Sequence, residues 1–213
     1  MTNVLVLGAN GKIAKLATIQ LLADQNNHLT LFLRNSQRLA DQASDRVKVV
    51  EGDAAKEADL QAAMTGVDVV YANLAGGNIE AEAKAVVAAM DASGLKRLIW
   101  ISTLGIYDEV PGNFGKWNHQ MLDGGYLETY GAAAKVIEGS DLDYTVIRPA
   151  WLSNQNEVAY ETTQKGEPFK GTEVSRKSIA ALVAKLAAAP NQAIRESLGV
   201  NKPNTDGDKP AWY

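Results

Sequence analysis

One stretch, VLVLGANGKIA at residues 4–14, restricts what this chain can fold into more than any other. An apolar run stops at Gly8-Ala9-Asn10-Gly11, and apolar residues then resume at helical spacing with Ile13, Leu16, Ala17 and Leu21. A strand that turns on glycines into a helix brings backbone N–H groups to a place where a phosphate can sit. Gly8 and Gly11 allow positive φ and the close approach of a diphosphate. Asn10, Lys12 and Ile13 surround the helix start, where amides and the positive end of the helix dipole meet. Ala14 is small enough for close helix-to-strand packing. Glycine spacing of this kind also arises by chance, and a structural turn without a ligand is the competing reading, so the surroundings decide.

Five further β-rich runs follow, HLTLFL, VKVVEGD, VDVVYANLAG, RLIWIST and DYTVIRPA, with helix-patterned segments between them. Ile79, Ala83, Val86, Val87 and Met90 make one apolar stripe, and Ile179, Leu182, Val183 and Leu186 make another that must stop before Pro190. This alternation predicts an α/β fold, a Rossmann-like doubly wound parallel sheet with helices on both faces. Residues 105–128 and 152–174 fit neither pattern and both follow strands. They are read as substrate-side insertions of a single domain spanning residues 1–213, with a small C-terminal substrate-side region. The tail KPNTDGDKPAWY is turn-rich, and its Trp212 and Tyr213 either dock on the body or fray.

Composition narrows the function. The 213 residues are 46% hydrophobic and 22% charged, with a formal net charge of −4, which offers no basic footprint for nucleic acid. The absence of cysteine excludes disulfides, thiolate metal sites and Cys nucleophiles. His28 and His119 lie too far apart to suggest a metal site, so no metal is expected. No apolar run nears the ~18 residues of a membrane span, and no signal-peptide pattern opens the chain, so a cytoplasmic protein with a small-molecule substrate is expected.

The end of the second strand reads the cofactor type. An acidic residue there grips the ribose hydroxyls of NAD, but this strand runs into Arg34-Asn35-Ser36 with Arg38 close behind. A guanidinium can fork onto a 2′-phosphate and stack on adenine, so NADP(H) is expected over NAD(H). A solvated surface role for Arg34 is the alternative.

The chain resembles the atypical short-chain dehydrogenase/reductase superfamily, specifically its small NmrA-like NAD(P)-binding, epimerase/dehydratase-like members. GANGKIA, EGDAAKEADLQAAMTGVDVVYANLAG and SDLDYTVIRPAWL carry the likeness, which spans nearly the whole chain. It implies that Asp53 and Ala54 flank the adenine, that Leu74, Ala75 and Gly76 line the ribose side, and that Pro149 passes near the nicotinamide. Asp53 is equally suited to capping the helix that follows.

Active members of the wider superfamily pair a Ser or Thr after the fifth strand with a Tyr and a Lys at Y-x-x-x-K. By this likeness Thr103 takes the first role and Tyr130 the second, but the Lys position is Ala134. Lys135 is one residue late, which rotates its side chain by about 100° around a helix. Tyr130 as a core residue and Thr103 as a strand-end hydroxyl are the plainer readings. Trp117, His119 and Trp151 fall on the substrate side, where aromatics suit a flat, conjugated molecule or simply pack the loops.

The expected activity is an NADPH-dependent oxidoreductase transferring hydride to a small conjugated acceptor, quinone- or flavin-like, or to a carbonyl compound. The alternative is a non-catalytic NADP(H)-binding redox sensor that reports its occupancy to a protein partner. A sugar-nucleotide epimerase fits least, because the Lys and the larger C-terminal substrate domain of those enzymes are missing.

Overall fold

The computed structural model describes residues 1–213. The chain opens with β1 (Thr2–Leu7), α1 (Lys12–Leu22), β2 (Asn27–Leu33), a 3₁₀ segment (Ser36–Gln42), β3 (Val47–Glu51) and α2 (Glu57–Ala63). β4 (Val69–Ala72), α3 (Ile79–Ser93), β5 (Arg97–Ile101), α4 (Gly112–Leu122) and α5 (Tyr126–Glu138) follow. The last third holds β6 (Asp143–Pro149), β7 (Trp151–Ser153), β8 (Glu161–Thr163), β9 (Glu173–Ser175), α6 (Arg176–Ala188) and β10 (Glu196–Asn201).

Eight strands form one sheet in the order β3-β2-β1-β4-β5-β6-β10-β8, parallel throughout except for β8, which runs antiparallel to β10. All six β-rich runs of the sequence become strands, and the fold is the Rossmann-like α/β architecture they predict. Strand β1 shows why both faces must be covered: Val4 and Val6 point to one side and Leu5 and Leu7 to the other, and all four are buried. On the first side α1 packs against α6, and on the second α3 packs against α2 and α5. Ala14 and Ala17 of α1 are fully buried, as close packing of that helix requires.

Both unpatterned stretches are structured. Residues 105–128 contain α4 and the start of α5, and residues 152–174 run from β7 through β8 into β9, with β7 and β9 paired as a small parallel sheet. The tail docks: Tyr213 packs edge-on against Trp117 at 5.0 Å and Trp151 at 5.4 Å, and the Ala211 amide donates to Glu173.

The loop after β5 is fixed by a buried ion pair. Arg148 of β6 has no exposed side-chain surface and pairs with Glu109, which also accepts the Gly105 and Tyr107 amides at 3.1 and 3.0 Å. Arg148 further donates to the Ser197 hydroxyl and carbonyl of β10, both at 3.1 Å, and its guanidinium lies 5.0 Å from the Tyr107 ring.

Glu109→Gln, which leaves the Arg148 charge buried and uncompensated, is expected to cost about 3–5 kcal/mol in urea unfolding. The paired replacement Arg148→Met with Glu109→Leu is expected to cost less than Glu109→Leu alone, because it removes the stranded charge.

Candidate active site

A groove of about 430 Å3 lies beyond the C-terminal ends of β1 to β4. Its floor is the turn after β1, where Gly8 takes φ +71° and Gly11 caps α1. The Gly8 and Ala9 amides are occupied by the Phe32 carbonyl, at 3.0 and 3.2 Å, and the Gly11 amide by the Gly8 carbonyl at 2.9 Å. The amides of Asn10, Lys12 and Ile13 donate to no protein atom. These are the unsatisfied donors of a helix start, and with the helix dipole they form a seat for an anion. A Cβ at Gly8 would overlap the Asn73 carbonyl, and one at Gly11 the Asn73 side-chain amide. The glycines are therefore dictated by the approach of the β4 end as well as by the space above the turn.

The far end of the groove is lined by Arg34, Asn35, Arg38, Gly52 and Ala54. Arg34 and Arg38 are exposed and neither forms an ion pair. The nearby acid at the end of β3, Glu51, accepts the Ser36 amide and hydroxyl, both at 2.9 Å; those bonds hold its carboxyl below the usual range. Asp53 does not cap α2: it accepts the Ala55 amide at 3.0 Å, and Lys56 holds the cap position. Leu74 and Ala75 line the middle of the groove, and Gly76 follows at φ +130°.

Sequence reasoning missed Asn73 and Glu82. Glu82 lines the groove from the first turn of α3, and its Oε2 is buried without a hydrogen-bond partner. Burial pushes its carboxyl up, against the pull of Asn78 and Arg34. The feature that could have found it is an acid among the apolar positions of α3, where Glu82 directly precedes Ala83.

A second cavity, of about 330 Å3, opens at the ends of β5 and β6. Thr103, Pro149 and Trp151 line it, as do Tyr126, Trp212 and Tyr213, and eight of its twelve lining residues are hydrophobic. The indole N–H of Trp151 donates to Asn118 at 2.9 Å, fixing the ring as a wall. Trp117 stands behind that wall, 4.7 Å from Trp151. His119 turns away to Asp123 and Asp108, at 2.9 and 3.1 Å, and their carboxylates raise its pKa from the ordinary histidine value.

Tyr130 lines neither space. It is buried on α5 beneath Tyr126, with ring centroids 4.4 Å apart, and Ala134 one turn on is fully buried. Lys135 is exposed, on another side of the helix. Burial first, then Tyr126 beside it, pushes the Tyr130 hydroxyl well above the ordinary tyrosine range, while the Gly76 amide pulls it down. The hydroxyls that share the cavity are those of Ser102, Thr103, Tyr126 and Tyr213.

Comparison with known proteins agrees with this geometry. A family model described as NAD(P)H-binding matches residues 8–190. A Rossmann-fold NAD(P)-binding family protein from Shigella flexneri is 41% identical, with a TM-score of 0.85 over 99% of this chain and 98% of that one. A wide-type short-chain dehydrogenase/reductase from Veillonella parvula, solved in complex with NADP, is 29% identical, with a TM-score of 0.91 over 99% of each chain. A Bacillus subtilis relative described as an uncharacterised sugar epimerase, YhfK, is 27% identical over 193 residues, 84% of this chain and 85% of its own.

Gly11→Val is expected to abolish dinucleotide binding in calorimetric titration while the chain keeps its α/β circular dichroism. Binding at parental strength by a folded variant would reduce GANGKIA to a structural turn.

Proposed function

The chain belongs to the NAD(P)H-binding family, and from that premise we propose that it is an NADPH-dependent reductase of small conjugated acceptors. The observation that carries this is the cavity at the ends of β5 and β6, walled by Trp151, Trp212, Tyr126 and Tyr213, a chamber for a flat molecule. The nucleotide groove fits the dinucleotide on two features of this chain: the open amides of Asn10, Lys12 and Ile13, and a turn in which Gly8, at positive φ against the Asn73 backbone, admits no side chain.

In this reading the turn from Gly8 to Ile13 holds the diphosphate. Asp53 and Ala54 flank the adenine, Leu74, Ala75 and Gly76 the ribose, and Pro149 the nicotinamide. Arg34, with Arg38 beside it, supplies the charge that favours a 2′-phosphate, and no acid takes the place where ribose hydroxyls would be gripped. When bound, a reduced nicotinamide would supply a hydride, that is two electrons with their hydrogen, and one further proton from solvent would complete the reduction of the acceptor, leaving the dinucleotide oxidised. Trp151, Trp212 and Tyr213 stack on the acceptor and exclude water, and the Thr103 hydroxyl donates to its oxygen.

A simple ketone develops a localised alkoxide that demands a tuned proton donor, whereas a conjugated acceptor spreads the charge. Tyr130, buried and raised in pKa with Ala134 where a Lys would stand, is poorly matched to that demand. The same feature suits the alternative of a sensor that binds NADP(H) without turnover and reports to a protein partner. Epimerisation, the activity in the name of the B. subtilis relative, is less well served, because Ala134 stands where those enzymes carry a Lys.

The deciding experiment is a spectrophotometric screen of NADPH oxidation against quinones, flavins, aldehydes and ketones. Quinone or flavin turnover is expected to exceed that of aliphatic ketones, and binding with no turnover would favour the sensor. Tyr130→Phe is expected to slow turnover by less than about tenfold, about 1.4 kcal/mol of barrier. In binding titrations, Arg34→Ala should weaken NADPH by about 1.5–3 kcal/mol and leave NADH nearly unchanged, and equal affinities in the parent would overturn the preference.

A further inference from the structure

One charge in the acceptor cavity has no counter-charge. Arg176, the first residue of α6, lines the cavity with Trp151, Trp212 and Tyr213. Its Nη1 donates to the Leu152 carbonyl at 3.0 Å and to the Asn154 side-chain oxygen at 2.8 Å, which moors the guanidinium to the end of β7. Both acceptors are neutral. No Asp or Glu pairs with Arg176, and its Nε and Nη2 donate to no protein atom. Arg148, the other arginine of this region, is by contrast fully matched by Glu109 and Ser197.

An unpaired charge half-buried among apolar rings is costly, and desolvation lowers the Arg176 pKa from the ordinary arginine value. A guanidinium held still by neutral partners, with donors left over and aromatic walls beside it, is shaped to fork onto a carboxylate. Its mooring reduces the side-chain entropy that binding would otherwise remove.

We propose that Arg176 selects acceptors that carry a carboxylate on their conjugated ring system, the anion pairing with the guanidinium while the ring lies between the aromatic walls. This rests on the reading of the cavity as the acceptor site. The carboxylate keeps its charge through the two-electron reduction and serves only to bind and orient.

The test compares a naphthoquinone carboxylate with its methyl ester as NADPH-dependent acceptors. The carboxylate should be preferred in kcat/KM, and Arg176→Gln should reduce that preference at least about tenfold, mainly through KM, as the loss of a charged hydrogen bond implies. Arg176→Lys should keep part of it. Asn154→Ala, which removes one of the two moorings and leaves the Leu152 carbonyl bond and the charge, should keep most of it; a loss as large as in Arg176→Gln would make Arg176 a loop anchor and overturn the proposal.

A second readout needs no turnover: naphthoate binding to the NADP⁺ complex, followed by tryptophan fluorescence. If no acceptor is reduced but naphthoate binds and Arg176→Gln abolishes it, the reductase reading fails and the anion site stands. If a folded Arg176→Gln that still binds NADPH keeps both the preference and the naphthoate affinity, the anion site is overturned whatever the turnover.

Discussion

The ends of β1 and β4 approach each other so closely that a side chain at Gly8 would strike the β4 backbone. Gly8 lies against the Asn73 carbonyl and Gly11 against the Asn73 side chain, while the Asn73 amide donates to the Leu7 carbonyl at 2.9 Å. From this contact the chain diverges: α1 leaves for the face it shares with α6, and α3 for the face it shares with α2 and α5. The nucleotide groove is the gap opened by that divergence, which is where ligands sit in open α/β sheets.

The neighbouring cavity depends on a different interaction. Arg148 reaches up from β6 to Glu109, and Glu109 gathers the Gly105 and Tyr107 amides, so the loop that follows Thr103 is held by charge as well as by the apolar packing of Leu104 and Val110. Tyr107 extends the network to Glu138 at 2.6 Å and Ser197 at 3.0 Å, and Lys165 joins from the far side through Glu138 at 2.8 Å. A buried pair of this kind contributes little net stability but penalises every arrangement that separates its members. Its effect here is to fix where the loop runs.

What was legible in the sequence was what local patterning determines. Six of the parallel strands were visible because they read as apolar β-rich runs, β1, β4, β5 and β6 being largely buried on both faces and the edge strand β3 much less so, and α1, α3 and α6 because one stripe of each faces the sheet. Strand β10 was hidden by Gly199 at its centre, a glycine imposed by Thr163 and Phe169 pressing on it from distant parts of the chain. Helix α4 has two glycines and weak helical preference; it forms because Phe114 and Asn118 face inward and Gly115 sits beneath the Val110 carbonyl. The same division holds at the site. The glycine turn and Arg34 announce themselves by position after a strand, and Ala54, Leu74 and Ala75 by the family resemblance, whereas Glu82, Tyr126 and Arg176 reach the two cavities only through packing between helices and sheet.

The antiparallel strand β8 has a consequence for how copies of this protein meet. A parallel sheet that simply stops offers a row of unpaired backbone groups on which another chain can build, the route to stacking and fibrils. Here that margin is three residues long, Glu161-Thr162-Thr163, polar and reversed in direction, and at the opposite margin the 3₁₀ segment lies beside β3, whose Lys48 is exposed. Both borders discourage growth of the sheet by the addition of strands.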